Sequence, residues 1–242
     1  MIDLHSHILP ALDDGALDLA DSVAMAREAE RDGIAVVCAT PHIRDDHDVR
    51  IEELPARVQA LQRELDRLDV RVRIARGGEV AQFAADGLST EHLRAVSLDG
   101  GGGWILLEPA PGPLADELPA QVERLARRGA RTILAHPERH ADAGFEERLR
   151  ALAARGCLIQ WTADFIVQVE PDDPDALILR LAREGLVHLL ATDAHSSHGG
   201  RPLRLSPAFE RLREACPPEQ VRWIAEQAPA AILRGEPVAP PW

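Results

Sequence analysis

The chain has 242 residues, 45% of them hydrophobic, and a formal net charge of -13 at pH 7. That length and apolar fraction suffice for one large domain with a real core, expected here over residues 1–242, and the negative charge argues against a nucleic-acid partner, whose phosphates attract a basic face. Charged residues interrupt every apolar run and the first residues carry no basic n-region, so no membrane insertion is expected and the expected location is cytoplasmic.

In chain order, a first apolar run, Ile2 to Leu4, ends in His5-Ser6-His7. A helix is expected over Asp18 to Arg31, a strand over Ile34 to Ala39, a helix over Ile51 to Leu68, and strands over Val70 to Ala75 and Trp104 to Leu107. Helix Ala115 to Arg128, strand Thr132 to Ala135, helix Phe145 to Arg155, strand Cys157 to Gln160, helix Pro174 to Glu184 and strand Val187 to Ala191 follow. The helices carry apolar residues at three- and four-residue spacing. Two short helices, Pro207 to Ala215 and Pro218 to Gln227, each open on a proline, where a first-turn N–H is dispensable. Pro237 to Trp242 reads as a frayed tail. Asp99 to Gly103 reads as a flexible turn into a strand, because it has no nucleotide-motif spacing and opens no helix. Alternating strands and helices define an α/β chain with a parallel sheet.

Cys38, Cys157 and Cys216 are odd in number and far apart, which builds neither a disulfide framework nor a thiolate metal cluster. The chain has no Lys, Asn or Tyr, so all 27 basic residues are Arg. Arginine abundance is therefore weak evidence for phosphate binding.

The residues that follow the strands carry the functional signal. His5 and His7 lie two apart on an extended segment, so their imidazoles share a face, and His is the commonest metal ligand. His42, Glu79, Glu108, His136, Asp193 and His195 recur at or just beyond later strand ends, so that six of the seven expected strands lead to a metal-capable side chain. In a barrel of parallel strands those ends share one face, where active sites are built. His47, His92, His140, His188 and His198 read as surface residues, with His140 and His198 as neighbours of the site. Asp45, Asp46 and Asp48 read as a solvated acidic loop.

On Asp3-Leu-His-Ser-His7, His42, His136 and Asp193-Ala-His195, the chain resembles the PHP (polymerase and histidinol phosphatase) family. More narrowly, the run from Asp3 to Gly15, with Thr40-Pro-His42 and His136-Pro-Glu-Arg139, is similar to the bacterial capsule-associated, CpsB/CapC-type, metal-dependent protein tyrosine phosphatases. The resemblance implies a distorted (β/α)7 TIM-like barrel of the PHP type, in agreement with the strand count. It also implies a trinuclear site of three divalent metal ions, with Mn favoured and Fe or Zn compatible with imidazole and carboxylate ligands. In that scheme His5, His7, Glu79 and Asp193 hold one ion. Glu79, bridging, with Glu108 and His136 holds a second; Asp14, with Asp13 as the alternative, His42 and His195 hold the third.

The activity implied is hydrolysis of protein phosphotyrosine, the substrate including the tail of a bacterial tyrosine kinase, in the regulation of capsule or exopolysaccharide synthesis. Clustered dications would turn a bridging water into a hydroxide nucleophile and neutralise phosphate charge, with no covalent enzyme intermediate. Arg139 and Arg201 would grip the phosphate through planar donor forks. Two departures stand out: the arginine after the last motif is shifted by one residue, and Ser196 stands where Asn is common. The alternatives are a small-molecule phosphatase of the histidinol phosphate type and a noncatalytic metal-binding PHP module.

Cys38 to Arg44 and Cys216 to Arg222 satisfy the C-x5-R spacing of thiol-dependent tyrosine phosphatases. Such a loop must aim successive N–H groups at phosphate, yet Pro41, Pro217 and Pro218 remove donors and neither loop contains glycine. A metal-based reaction is expected instead.

Overall fold

The computed structural model describes residues 1–168 and 177–242. Every strand pairing among them is parallel. The strands are β1 (Ile2–Ser6), β2 (Val36–Ala39), β3 (His42–Ile43), β4 (Arg73–Arg76), β5 (Glu79–Ala81), β6 (Trp104–Glu108), β7 (Arg131–Leu134), β8 (Leu158–Thr162) and β9 (Leu189–Ala191).

Among the described residues nine strands fill seven barrel positions, because two of the seven expected strands are broken near their carboxyl ends. The second strand stops at Ala39, passes Thr40-Pro41 and resumes as the two-residue β3; the third stops at Arg76, passes Gly77-Gly78 and resumes as β5. Proline cannot donate to a ladder, and glycine weakens one, so both breaks have a local cause. The first halves form a sheet in the order β1-β2-β4, and the second halves continue as β3-β5-β6-β7-β8-β9. β9 returns to β1 through the Ser6–Ala194 bridge, with the Asp193 amide donating to the His5 carbonyl at 2.9 Å and the His7 amide to the Ala194 carbonyl at 2.8 Å. The result is a closed, distorted β/α barrel whose seams lie beside the strand-end histidines and acids.

Helices cover the outside. The first, Leu19–Asp32, is capped by Asp18, whose side chain accepts from the Asp21 amide, and ends on Gly33 at φ 81°, a left-handed position that suits glycine. Further helices span Leu54–Arg67, Leu118–Arg127, Phe145–Ala153, Leu177–Arg183 and Ser206–Ala215. The start of the helix expected over Pro174 to Glu184 lies outside the described residues. Short helices at Gln82–Ala85, Thr90–Ala95 and Ala163–Val167 were not foreseen, since four to six residues carry too little periodicity to read. The Pro218 helix passes through a π-helical turn at Trp223–Gln227 and runs on to Leu233.

The expected frayed tail is not frayed. The Trp104 indole donates to the Glu236 carbonyl at 2.8 Å, and the Trp242 ring packs edge-on against Trp223 at 5.0 Å and donates to the Gly185 carbonyl. Trp242 itself stays 48% exposed, so the edge contact and the hydrogen bond, rather than full burial, hold it. The Asp99 to Gly103 turn does lead into β6, and its Gly102 amide is tied to the Ser97 hydroxyl at 2.7 Å.

Candidate metal centre

All nine metal-capable side chains picked out along the chain converge at the carboxyl face of the barrel. The innermost are His5, His7, Glu79, His136 and Asp193, each no more than 2% exposed. His5 Nε2 lies 3.3 Å from His7 Nε2, 3.3 Å from Glu79 Oε1 and 3.2 Å from Asp193 Oδ1. His136 Nε2 reaches Glu79 Oε1 at 2.8 Å, and His7 Nε2 sits 3.3 Å from Glu79 Oε2. The β3–β5 pairing sets His42 directly beside Glu79, with His42 Nδ1 at 3.0 Å from Glu79 Oε2. Without the two strand breaks that register would not exist. Farther out, His42 Nε2 lies 3.3 Å and His195 Nε2 3.5 Å from Asp14 Oδ1, and Asp14 is 51% exposed at the mouth.

Other side chains fix the imidazoles. His7 Nδ1 donates to Asp13 Oδ2 at 2.8 Å, His5 Nδ1 donates to Gln160 Oε1 at 2.9 Å, and His195 Nδ1 donates to the Asp193 carbonyl at 2.8 Å. Each bond puts the proton on Nδ1 and leaves the Nε2 lone pair facing the cluster, the arrangement that metal-ligating histidines use. Asp13 and Asp14 make different contacts: Asp13 bonds to His7 and accepts the His42 amide at 3.0 Å, while Asp14 faces His42 and His195. Gly15 is required beside them, because a Cβ there would stand 2.1 Å from the His7 carbonyl oxygen. Asp3 ties the two barrel ends together, accepting from the Thr192 amide at 3.0 Å and hydroxyl at 2.5 Å.

Two of the innermost residues hold backbone conformations that L-residues avoid: His136 at φ 29° and Asp193 at φ 51°. Non-glycine residues held there cost free energy and cluster at functional sites.

The electrostatics are those of a cation site. Burial alone would raise the Glu79 carboxyl, but the charge of His5 and the hydrogen bond from His136 hold it well below the usual carboxylate range. Burial likewise opposes ionisation of Asp193, and His5 and His7 outweigh it. Conversely, burial disfavours charge on His7, and Asp13, Asp193 and Glu79 raise its proton affinity well above the ordinary value. A field that draws protons onto imidazoles also draws a dication, with release of those protons.

The donor set fits metal ions. Among the described residues four cation-sized groups form: His5, His7 and Asp193; His5, Glu79 and His136; His42, Glu79 and Glu108; and His7, Asp14, His42 and His195. Facing lone pairs 3.2 to 3.4 Å apart suit donors around one ion at about 2 Å. Buried His42 Nδ1, His136 Nδ1 and Glu79 Oε2 have no hydrogen-bond partner, although His42 Nδ1 and Glu79 Oε2 are neighbours, because their mutual angles are wrong for one. Buried polar atoms left so are costly unless something satisfies them. Glu79 turns Oε1 toward His136 and Oε2 toward His42, and Glu108 Oε2 lies 3.6 Å from His42 Nδ1. A neutral imidazole has one lone pair, so His42 can serve only one of its two groups.

Both expected arginines are at the site and both grip Asp193. Arg139, on the turn after His136, donates from Nη2 to Asp193 Oδ2, and Arg201 Nε donates to the Asp193 carbonyl at 2.7 Å. Sequence reading missed Asp13's role, Gln160, Asp3 and Arg44, whose Nη1 lies 3.4 Å from Glu108. Gln160 had a signal: it closes the one expected strand that led to no metal-capable residue. His188, expected at the surface, is 3% exposed and accepts the Ile159 amide at 2.9 Å. His140 is also buried, donating to the Gly112 carbonyl, and His47 stacks on His42 at 5.2 Å. His92 and His198 are at the surface as expected.

The thiol alternative fails on geometry. Cys38 is fully buried inside β2 with its Sγ against the Arg76 carbonyl, and burial pushes its thiol pKa far up. Arg44 turns to Asp46 at 2.8 Å and Glu108 instead.

A parallel β/α barrel with a buried cluster of imidazoles and carboxylates at its carboxyl face defines a metal-dependent hydrolase architecture. The family model described as capsular polysaccharide synthesis, CpsB/CapC, matches residues 1–234. The tyrosine-protein phosphatase YwqE of Bacillus subtilis is 33% identical over 203 residues, 81% of this chain and 78% of YwqE. A crystal structure from work on YwqE of Bacillus subtilis and CpsB of Streptococcus pneumoniae, described as metal-dependent tyrosine phosphatases, superposes with a TM-score of 0.84 at 27% identity, covering 99% of both chains. Histidinol phosphate phosphatase from Lactococcus lactis shares the fold at a TM-score of 0.55 and 14% identity, over 88% of this chain and 93% of its own. The chain belongs to the CpsB/CapC family.

Proposed function

We propose that this chain is a metal-dependent protein-tyrosine phosphatase, acting on phosphotyrosine proteins in the control of capsule or exopolysaccharide synthesis. The observation that carries the reading is the convergence of nine metal-capable side chains with two arginines on one carboxylate, Asp193. Family membership and the likeness to YwqE and CpsB support it.

In this reading His5, His7, Asp14, His42, Glu79, Glu108, His136, Asp193 and His195 hold three divalent metal ions, with Mn preferred over Fe or Zn. Such ions, when bound, supply Lewis acidity that brings the pKa of a water ligand toward neutrality and offsets phosphate charge. The chain's own residues do the rest. Asp13 and Gln160 hold the His7 and His5 rings with Nε2 inward. Asp193 anchors Arg139 and Arg201, so that their remaining donors can meet a phosphate as a preformed fork rather than as free surface chains. The tail of a bacterial tyrosine kinase is the partner that this reading favours.

The test strips the protein of metal, restores Mn, Fe or Zn separately, and compares turnover of a phosphotyrosine peptide, the same peptide with phosphoserine, and histidinol phosphate. Metal-dependent preference for phosphotyrosine, greatest with Mn, is expected; preference for histidinol phosphate overturns the reading.

A further inference from the structure

Beside the proposed metal centre, the end of β8 and the short helix Ala163–Val167 border a pocket of about 230 Å³, with Glu138, Arg139, Thr162, Phe165, Gln168 and Arg201 in its wall. Arg139 and Arg201 close one side, and both reach from there to Asp193. A phosphate held by the remaining donors of those two guanidiniums would set its ester group against this space.

Three features say what the space accepts. Its volume is below the roughly 300–1,000 Å³ of sites for whole drug-sized ligands, and suits a single side chain. Phe165 is 36% exposed, an unusual state for a phenylalanine, and it is backed by fully buried Trp161 at 6.1 Å between ring centroids. Its ring is thus held from behind with a face or edge left over. Finally, Thr162 is 4% exposed, yet its Oγ1 has no hydrogen-bond partner. Glu138 Oε2 is likewise unpartnered, although its Oε1 accepts the Thr162 amide at 3.2 Å. Buried groups in that state are costly unless something satisfies them, and both residues border this pocket.

We propose that this pocket receives the aromatic ring of the substrate phosphotyrosine, with Phe165 as the residue that selects an aryl over an alkyl phosphate. The inference rests on the phosphotyrosine reading above. The aryl ring packs against Phe165 while the two arginines hold the phosphate; a serine or small alkyl phosphate reaches the arginines but leaves the Phe165 wall bare. Aromatic packing of this kind favours the aryl ligand by about tenfold.

The experiment measures dissociation constants of benzylphosphonate and ethylphosphonate by calorimetry on the metal-restored full chain. Neither compound is turned over, so the result is independent of whether phosphotyrosine is a substrate. Phe165→Ala should shrink the ratio of aryl to alkyl affinity about tenfold, and Phe165→Trp should keep it within about twofold of the parent. Phe165→Leu, which keeps the bulk without the ring, reports the same ratio should the alanine variant unfold. A ratio within about twofold of the parent in the alanine or leucine variant, or equal weakening of both phosphonates, overturns the assignment. Loss of phosphotyrosine turnover by the parent would instead overturn the phosphatase reading while leaving this ratio measurable.

Discussion

Replacing Asp13 by Asn tests whether the Asp13–His7 bond, rather than a bond to metal, is what this residue contributes. The Asp13 carboxylate serves three donors: Oδ2 takes His7 Nδ1 at 2.8 Å and the His42 amide at 3.0 Å, and Oδ1 takes the Gly15 amide at 3.0 Å. An amide has only one acceptor oxygen. Placed at Oδ2, it keeps His7 and His42 and turns its NH2 against the Gly15 N–H. Placed at Oδ1, it keeps Gly15 and turns its NH2 against both His7 Nδ1 and the His42 N–H. Either way at least one buried backbone donor is orphaned and the charge-assisted bond to His7 is lost or weakened. An orphaned buried donor costs about 1–3 kcal/mol. Loss of the partner that orients a ligating histidine costs about 10- to 100-fold in metal affinity.

The assay pairs urea denaturation in excess chelator, which reads the structural cost alone, with competition titration against a chromogenic chelator, which reads metal affinity. Asp13→Asn should lose about 1–3 kcal/mol in the first and about 10- to 100-fold in the second. Asp14→Asn is the counterpart: at 51% exposure it should change stability by no more than about 0.5 kcal/mol but bind fewer metal equivalents. If Asp13→Asn denatures and binds metal as the parent does, the positioning argument is wrong. If Asp14→Asn retains the full metal complement, the assignment of Asp14 as a donor is wrong.

Further outcomes follow from the same geometry. Chelation should lower the melting temperature by about 5–10 °C relative to protein in metal at a hundredfold excess over Kd, and should abolish turnover, whereas thiol alkylation should leave turnover intact because Cys38 is buried; inactivation by iodoacetamide would revive the thiol mechanism. Arg139→Ala should lower kcat/KM for a phosphotyrosine peptide about 10- to 100-fold with metal content by elemental analysis unchanged, and Arg139→Lys should recover only part of it, since an ammonium cannot form a bidentate fork; full recovery by lysine would refute the fork. His188 supplies a pH dependence. Burial depresses its pKa from 6.5 to about 4, so the unfolded chain binds a proton that the folded chain refuses as pH falls from 6.5 toward 4, and stability drops by about 2.5 kcal/mol by pH 4.5. His188→Asn, which can still accept the Ile159 amide, should show a flatter stability profile between pH 6.5 and 4.5 in urea titrations; a profile parallel to the parent's would show that His188 is not the titrating group.

What could be read from the chain alone, and what could not, divides along a physical line. The strand-end residues were legible because parallel β/α units put every strand's carboxyl end on one face, so a list of residues after apolar runs is also a list of neighbours in space. Their contacts with one another were not, because those depend on strand register across the two breaks. A two-residue strand such as His42–Ile43 has no period to detect, and only pairing with Glu79–Ala81 sets His42 beside Glu79. Buried His188 escaped for a similar reason: its partner, the Ile159 amide, is 29 residues away, and nothing local marks a histidine as an acceptor in the core.

The same line separates what this barrel holds rigidly from what it can vary. His5, Glu79, Asp193 and His136 sit at strand ends, almost without exposure, and hydrogen bonds from the Asp193 and Thr192 amides to the His5 carbonyl and the Asp3 carboxylate join the first strand to the last. Asp14, His195 and both arginines stand farther out, where turns and short helices rather than ladders place them. The inner group belongs to the barrel itself, a fold shared with histidinol phosphate phosphatase at 14% identity. Choice among esters must then come from the outer ring, in segments such as Ala163–Val167 that have no sequence period and are free to change without unmaking the barrel. Substitutions within Ala163–Val167 should alter which phosphate is taken while leaving metal content unchanged, and substitutions at the inner group should do the reverse.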